Sequence, residues 1–202
     1  MANETLDQKI EEHEMKLSVD EAWEGALKGW NSPSIPFVIA PQTERERASL
    51  GEVGQVLAGE FAFMKYPEFQ TYVNLEKIAQ TFPSNPQRGL QAITTHEVGH
   101  RFCPYDVVTT MILNHRIEKA LQGEQLPYDA KAASRNILNL FTDTCINTQS
   151  VRKGDNNIPW AYQELSKDKA KSKLWRVYGK SMELAWKKPI LPKDAKLSDE
   201  EM

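Results

Sequence analysis

One segment of the chain constrains its architecture more than any other: PQRGLQAITTHEVGHRFC, from Pro86 to Cys103. It carries its own start and its own stop. Ser84 can accept from the backbone N–H of Gln87 while the Gln87 side chain reaches back, and Pro86 sits in the first turn, where a missing N–H is no loss. At the other end Pro104 disfavours helical geometry at Cys103, so the helix is expected to end near Phe102. Ile93, Thr94, Thr95, Val98, Gly99 and Phe102 are uncharged, with Arg101 the exception. Ala92 and Gly99 are small enough to let a second element come close.

Within that helix His96 and His100 stand one turn apart, so their side chains leave the same face. Two imidazoles in that relation can bind one tetrahedral zinc at about 2.0–2.1 Å each. Glu97 lies about 100° further round, displaced from the pair but within reach of a metal-bound water. Zinc lowers the pKa of such a water toward about 7, and a carboxylate can take its proton and hand it to a leaving amine. HExxH is short and does arise by chance. Here, however, two of only four histidines fall at this spacing around a glutamate. The plain alternative is two exposed or hydrogen-bonded histidines on an amphipathic helix beside a solvated glutamate.

A catalytic zinc generally has three protein ligands and one open position, so a third ligand is needed. Asp106 follows His100 by six residues, but Cys103 stands where a tight chain reversal would want glycine. Glu118, in NHRIE, lies further downstream, with Arg116 and Lys119 able to neutralise it. Asp143 is the preferred candidate. It is the only charged side chain between Asn136 and Ser150, on a helical face shared with Asn136, Asn139 and Asn147. That face predicts a buried polar environment, in which a lone carboxylate is costly unless paired or metal-bound. Asn147, one turn on, would then support a ligand from outside the inner shell. The bland reading is an Asx face hydrogen-bonded across an interface. Cys103 and Cys145 read as small buried hydrophobes rather than ligands.

The remaining elements follow from periodicity and punctuation. Ser18–Glu21 reads as a capping box ahead of a helix with Ala22, Trp23, Ala26, Leu27 and Trp30 on one face, ended by Asn31-Ser32-Pro33. Pro36–Ala40, Phe61–Tyr66 and Phe69–Leu75 read as strands, the last alternating cleanly. Helices are expected over Glu44–Gly59, Asp106–Leu121 and Asp129–Arg152, with two shorter ones filling Trp160–Trp186. The expected organisation is one domain over 1–186. Residues 187–202 read as a linker or tail, with a further region possible after it.

The chain has 202 residues, 40% hydrophobic and 26% charged, which suits a globular domain with its own core. A net charge of −3 gives no electrostatic reason to expect nucleic acid as a partner. No apolar run approaches the ~18–20 residues of a membrane span, so no membrane partner is expected either. Two cysteines are too few for a secreted disulfide scaffold. With no secretory signal in the polar N-terminus, the expected compartment is the cytoplasm.

HEVGH resembles the zincin superfamily of zinc-dependent peptidases. Its pairing with Asp143 and Asn147 is similar to predicted cytoplasmic metallopeptidase domains of bacteria and archaea, some of which precede von Willebrand A-type domains. The resemblance covers Phe61 to Asn147. It implies a mostly helical α+β fold with a small sheet beside the helix that bears the motif. It implies Zn²⁺ as cofactor and a peptide or protein substrate held by strand addition on the sheet's edge. Phe69–Leu75 is the candidate strand for that sheet. The leading expectation is a zinc metallopeptidase with Glu97 as base and His96, His100 and Asp143 as ligands. Alternatives are a regulatory protein that cleaves one partner, or a non-catalytic interaction module anchored by tryptophans such as Trp160, Trp175 and Trp186. Tyr105, His115 and Tyr162 are the candidates for stabilising an oxyanion.

Overall fold

The first described helix, α1, runs unbroken from Leu6 to Trp30. The capping box expected at Ser18 therefore does not start a helix. Glu, Met and Lys fill the positions before it, all good helix formers, and nothing in the chain stops the helix there. Val19, Ala22, Trp23, Ala26 and Trp30 form its buried stripe. The helix ends where expected, by a left-handed cap: Asn31 has φ 53°, its N–H bonds Lys28 O at 3.1 Å, and Ser32 N bonds Leu27 O at 2.8 Å. The computed structural model describes residues 6–39, 51, 59–65, 70–102, 107–122, 129–169, 172–193 and 195. The expected helix Glu44–Gly59 lies outside them, apart from Gly51, Gly59 and their backbone.

Three short strands follow: β1 (Phe37–Ile39), β2 (Ala62–Lys65) and β3 (Gln70–Val73). Their spatial order is β1-β3-β2, with β1 parallel to β3 and β2 antiparallel to it. Alternation holds in β3, where Thr71 and Val73 are buried and Gln70 and Tyr72 are not. The strand stops earlier than expected, because Asn74 accepts from Lys77 N at 3.0 Å and caps a new helix, α2 (Leu75–Thr81). Leu75, the first buried residue of α2, falls in phase with the strand and hides the change. Being paired on both sides, β3 has no free edge; the edge that borders the next helix belongs to β2.

That helix, α3, spans Pro86–Gly99 and tightens into a 3₁₀ turn at His100–Phe102. Its cap is Asn85, which accepts from Arg88 N at 3.0 Å, not Ser84. Pro86 takes the first helical position, and that places the cap one residue before it. α3 is the centre of the fold, with α1 on one side and α2, β2 and the later helices α5 (Ala130–Arg152) and α6 (Asn157–Lys169) around it. Two small residues make this possible. A Cβ on Gly99 would stand 2.3 Å from Ile146 and 2.9 Å from Trp30, and one on Gly89 would stand 2.4 Å from Phe82.

Between α3 and α5 lies α4 (Val107–Leu121), and α7 (Lys173–Trp186) follows α6. Asp129 caps α5 by accepting from Lys131 N and Ala132 N. The result is a mostly helical α+β fold with a small sheet beside α3. The segment after α7, expected as a linker, begins by packing: Ile190 is buried in the main core. Glu183 accepts there from the backbone N–H of Ile190 and Leu191 at 3.0 and 3.1 Å. Among the described residues no helix is long and apolar enough to cross a membrane.

Candidate metal centre

α3 presents His96 and His100 from one face, and α5 crosses that face with Asp143. Trp30 fixes the local backbone by donating its indole N–H to Thr95 O at 2.8 Å. The two imidazoles meet edge to face, 4.8 Å between centroids at 88°, so their Nε2 atoms converge instead of stacking. The Nε2 atoms are 3.2 Å apart. Asp143 Oδ1 lies 3.6 Å from Nε2 of His96 and 3.8 Å from Nε2 of His100. Neighbouring ligand atoms around a tetrahedral zinc stand about 3.3 Å apart when each bond is about 2.0–2.1 Å. The three observed separations scatter just around and above that value. Among the described residues this is the one group of three His, Cys, Asp or Glu side chains whose ligand atoms come so close, and it could hold a metal ion.

The donor set fits a divalent cation on a second ground. Asp143 Oδ1, the atom aimed at both imidazoles, is enclosed and has no hydrogen-bond partner. A buried carboxylate oxygen without a donor is destabilising as it stands, and a cation between it and the two nitrogens would satisfy it. Burial first, with Glu60 adding to it, raises the Asp143 pKa against the opposing pull of His96. Burial, with His96 next, lowers His100 to about 3, which leaves a neutral imidazole with a lone pair to offer.

Glu97 faces the same cleft from the neighbouring position on α3. It is only 6% exposed, and its Oε2 also lacks a hydrogen-bond partner. Burial is the main reason its pKa rises to about 7; His96 opposes the shift, and Asp143 and Glu60 add to it. The cleft measures about 510 Å³. Its floor is α3, one wall is β2 with Glu60 and Phe61, and the opposite wall is built by Asn139, Leu140, Asp143 and Asn147 of α5. Tyr162, Lys169, Trp175 and Tyr178 close the end.

Asn147 stands where the spacing placed it, one turn beyond Asp143 and buried, its Oδ1 2.8 Å from His96 Nδ1. The rest of the expected polar face is not enclosed: Asn136 and Asn139 are exposed, because the N-terminal half of α5 buries a different face, that of Ala133, Ser134 and Leu138. Asp106, Cys103 and Tyr105 lie outside the described residues. Glu118 and His115 sit on α4 and do not line the cleft. Cys145 is half-buried and not part of the His–His–Asp group. Tyr162 does reach the cleft, but its hydroxyl is already engaged by Asn147 Nδ2 at 2.8 Å. The tryptophans named as possible anchors are committed internally: Trp186 donates to Thr148 and Trp175 to Ser166. Sequence reasoning did not find Tyr178, Thr144 or the β2 edge, which are brought to the site by tertiary packing alone. Comparison with protein-family models, with curated proteins and with solved structures yields no match to this chain, and the site stands on its own geometry.

Proposed function

We propose that the protein is a zinc-dependent peptidase, cytoplasmic, acting on a peptide or protein. The observation that carries this reading is the convergence of His96 Nε2, His100 Nε2 and the unpartnered Asp143 Oδ1 in an open cleft that also holds Glu97, whose Oε2 has no hydrogen-bond partner. Two imidazoles and one carboxylate, with a position left open to the cleft, are the donor set of a hydrolytic zinc site. When bound there, zinc polarises a substrate carbonyl and makes water a nucleophile near neutral pH.

The chain's own residues supply the rest. Glu97 offers a carboxylate oxygen with no other commitment, placed to accept a proton from water and return it to the leaving amine. The apolar side chains of the cleft, including Ile93, Leu140 and Trp175, exclude bulk water around the charged atoms. Among the described strands β2 has one edge without a partner, beside α3, where an extended peptide can pair its backbone.

Protein purified without chelator should contain about one zinc per chain by elemental analysis. Glu97→Gln should keep that zinc and lose peptide hydrolysis, while His96→Ala should lose both. Unchanged cleavage by Glu97→Gln would rule the mechanism out, and absence of stoichiometric zinc in the wild type would rule out the site.

A further inference from the structure

His96 is the start of a hydrogen-bond chain that runs along the cleft lining through α5, α6 and α7. His96 Nδ1 meets Asn147 Oδ1 at 2.8 Å, and Asn147 Nδ2 meets the Tyr162 hydroxyl at 2.8 Å. The Tyr162 hydroxyl meets that of Tyr178 at 3.1 Å.

The Asn147 amide gives this chain a direction. Its nitrogen donates to the Tyr162 hydroxyl and its oxygen faces His96 Nδ1. Tyr162 then has its own proton to give to Tyr178, and the contact between Asn147 Oδ1 and His96 needs a proton on Nδ1.

We propose that Tyr162 and Tyr178 are positioning residues that, through Asn147, hold the His96 proton on Nδ1 and so keep the Nε2 lone pair directed at the cation position between His100 and Asp143. The inference rests on His96 being a metal ligand, but the tautomer itself is a property of the metal-free protein. Outer partners of a ligating histidine act this way by fixing tautomer and ring orientation, and their loss typically weakens metal binding about 10–100-fold.

The test uses ¹⁵N-histidine-labelled full-length chain, wild type, Tyr162→Phe and Tyr178→Phe, with two readouts. Long-range ¹H–¹⁵N correlation on metal-free protein at neutral pH reports which His96 nitrogen carries the proton. Competition against a chromogenic chelator reports the zinc Kd. Wild type should show the Nδ1–H form. Tyr162→Phe removes the acceptor for Asn147 Nδ2; it should admit the Nε2–H form and weaken zinc about 10–100-fold. Phe keeps the ring against Trp175 and Trp186, but the buried Asn147 amide loses its acceptor, which also costs the fold stability. Tyr178→Phe covers that case: it removes only the acceptor of the Tyr162 proton, and should shift the tautomer the same way by less. An Nε2–H signature in the wild type, or an unchanged Nδ1–H signature in both variants, would overturn the relay. Failure to bind zinc in a wild type that shows Nδ1–H would instead overturn the peptidase reading and leave the relay standing.

Discussion

Adding one methyl group at Gly99 should loosen both the core and the metal site, although alanine is the better helix former. The new Cβ would lie 2.3 Å from Ile146 Cγ2 and 2.9 Å from Trp30 Cζ2. Carbon atoms rest at about 3.5–4.0 Å, so α3 and α5 must separate by roughly an ångström or Ile146 must leave its rotamer. Neither wall yields easily. Ile146 is 2% and Trp30 3% exposed, and Trp30 is tied to Thr95 O and stacked on Phe102. Overpacking of this kind costs about 1–3 kcal/mol, while Gly→Ala propensity returns at most about 1 kcal/mol. With two walls in violation the net loss should be about 1–2 kcal/mol. The matched control is Gly25→Ala in α1, where a Cβ meets nothing within 4 Å; it should stabilise by up to about 1 kcal/mol. Thermal unfolding in chelator should therefore move in opposite directions, at about 2–4 °C per kcal/mol for a chain of this size. Ile146 lies three residues after Asp143 on α5, so pushing it back also draws Asp143 Oδ1 away from the imidazoles, and zinc should bind more weakly to Gly99→Ala. A Gly99→Ala protein as stable as the wild type would refute the packing argument.

Asp143 Oδ1, enclosed without a hydrogen-bond donor, predicts a crossover. In chelator Asp143→Asn should melt above the wild type, because a buried charge has been removed; with zinc at about 100 times its Kd the wild type should gain about 2.7 kcal/mol and the variant almost nothing. If the variant melts lower in chelator, Asp143 is a structural partner and not a waiting ligand. Glu183 gives a pH test. Burial works against its charge, but the Lys180 hydrogen bond and the backbone N–H groups of Ile190 and Leu191 outweigh that and hold its pKa below the ordinary 4.5. A carboxyl lowered on folding contributes stability above its unfolded pKa and loses it as pH falls through the folded one. Wild type should thus exceed Glu183→Gln in melting temperature at neutral pH, with the gap closing below pH 4.5; a constant gap would mean that only hydrogen bonding, not charge, ties the tail to α7.

What could be read from residues alone divides along covalent reach. His96, Glu97 and His100 share one helix, so a proline, a cap and a four-residue spacing were enough to place them on one face. Asp143 and Asn147 are 43 and 47 residues further on from His100 and His96-side spacing alone could not have brought them there; what betrayed them was an absence of other charge along a helix that ought to have had some. The same clue overreached at Asn136 and Asn139, because composition cannot tell where along a helix the buried face changes. Sheet order was out of reach for a related reason. β2 and β3 are both four residues long, and only β1 lying in parallel on the far side of β3 leaves β2 at the edge among the described strands. The helix starts failed at Ser84 by one residue and at Ser18 altogether, deep inside α1, since a serine with a glutamate or glutamine three residues on suits a helix interior or the turn before it as readily as a cap.

The hydrogen-bond relay lies beyond any of these signals. Tyr162 and Tyr178 sit on different helices, and nothing in their spacing distinguishes them from core tyrosines. Burial raises the pKa of both phenols, so each enters the chain as a neutral hydroxyl carrying one proton, which is what lets two phenols on α6 and α7 act through an α5 amide on the tautomer of a histidine on α3. The ligands of the site are thus set by helix geometry, while their protonation is set by how α6 and α7 dock. Substitutions that merely shift that docking should alter metal affinity without touching a ligand, and a survey of core variants in α6 and α7 that left zinc binding uniformly intact would show the two to be independent.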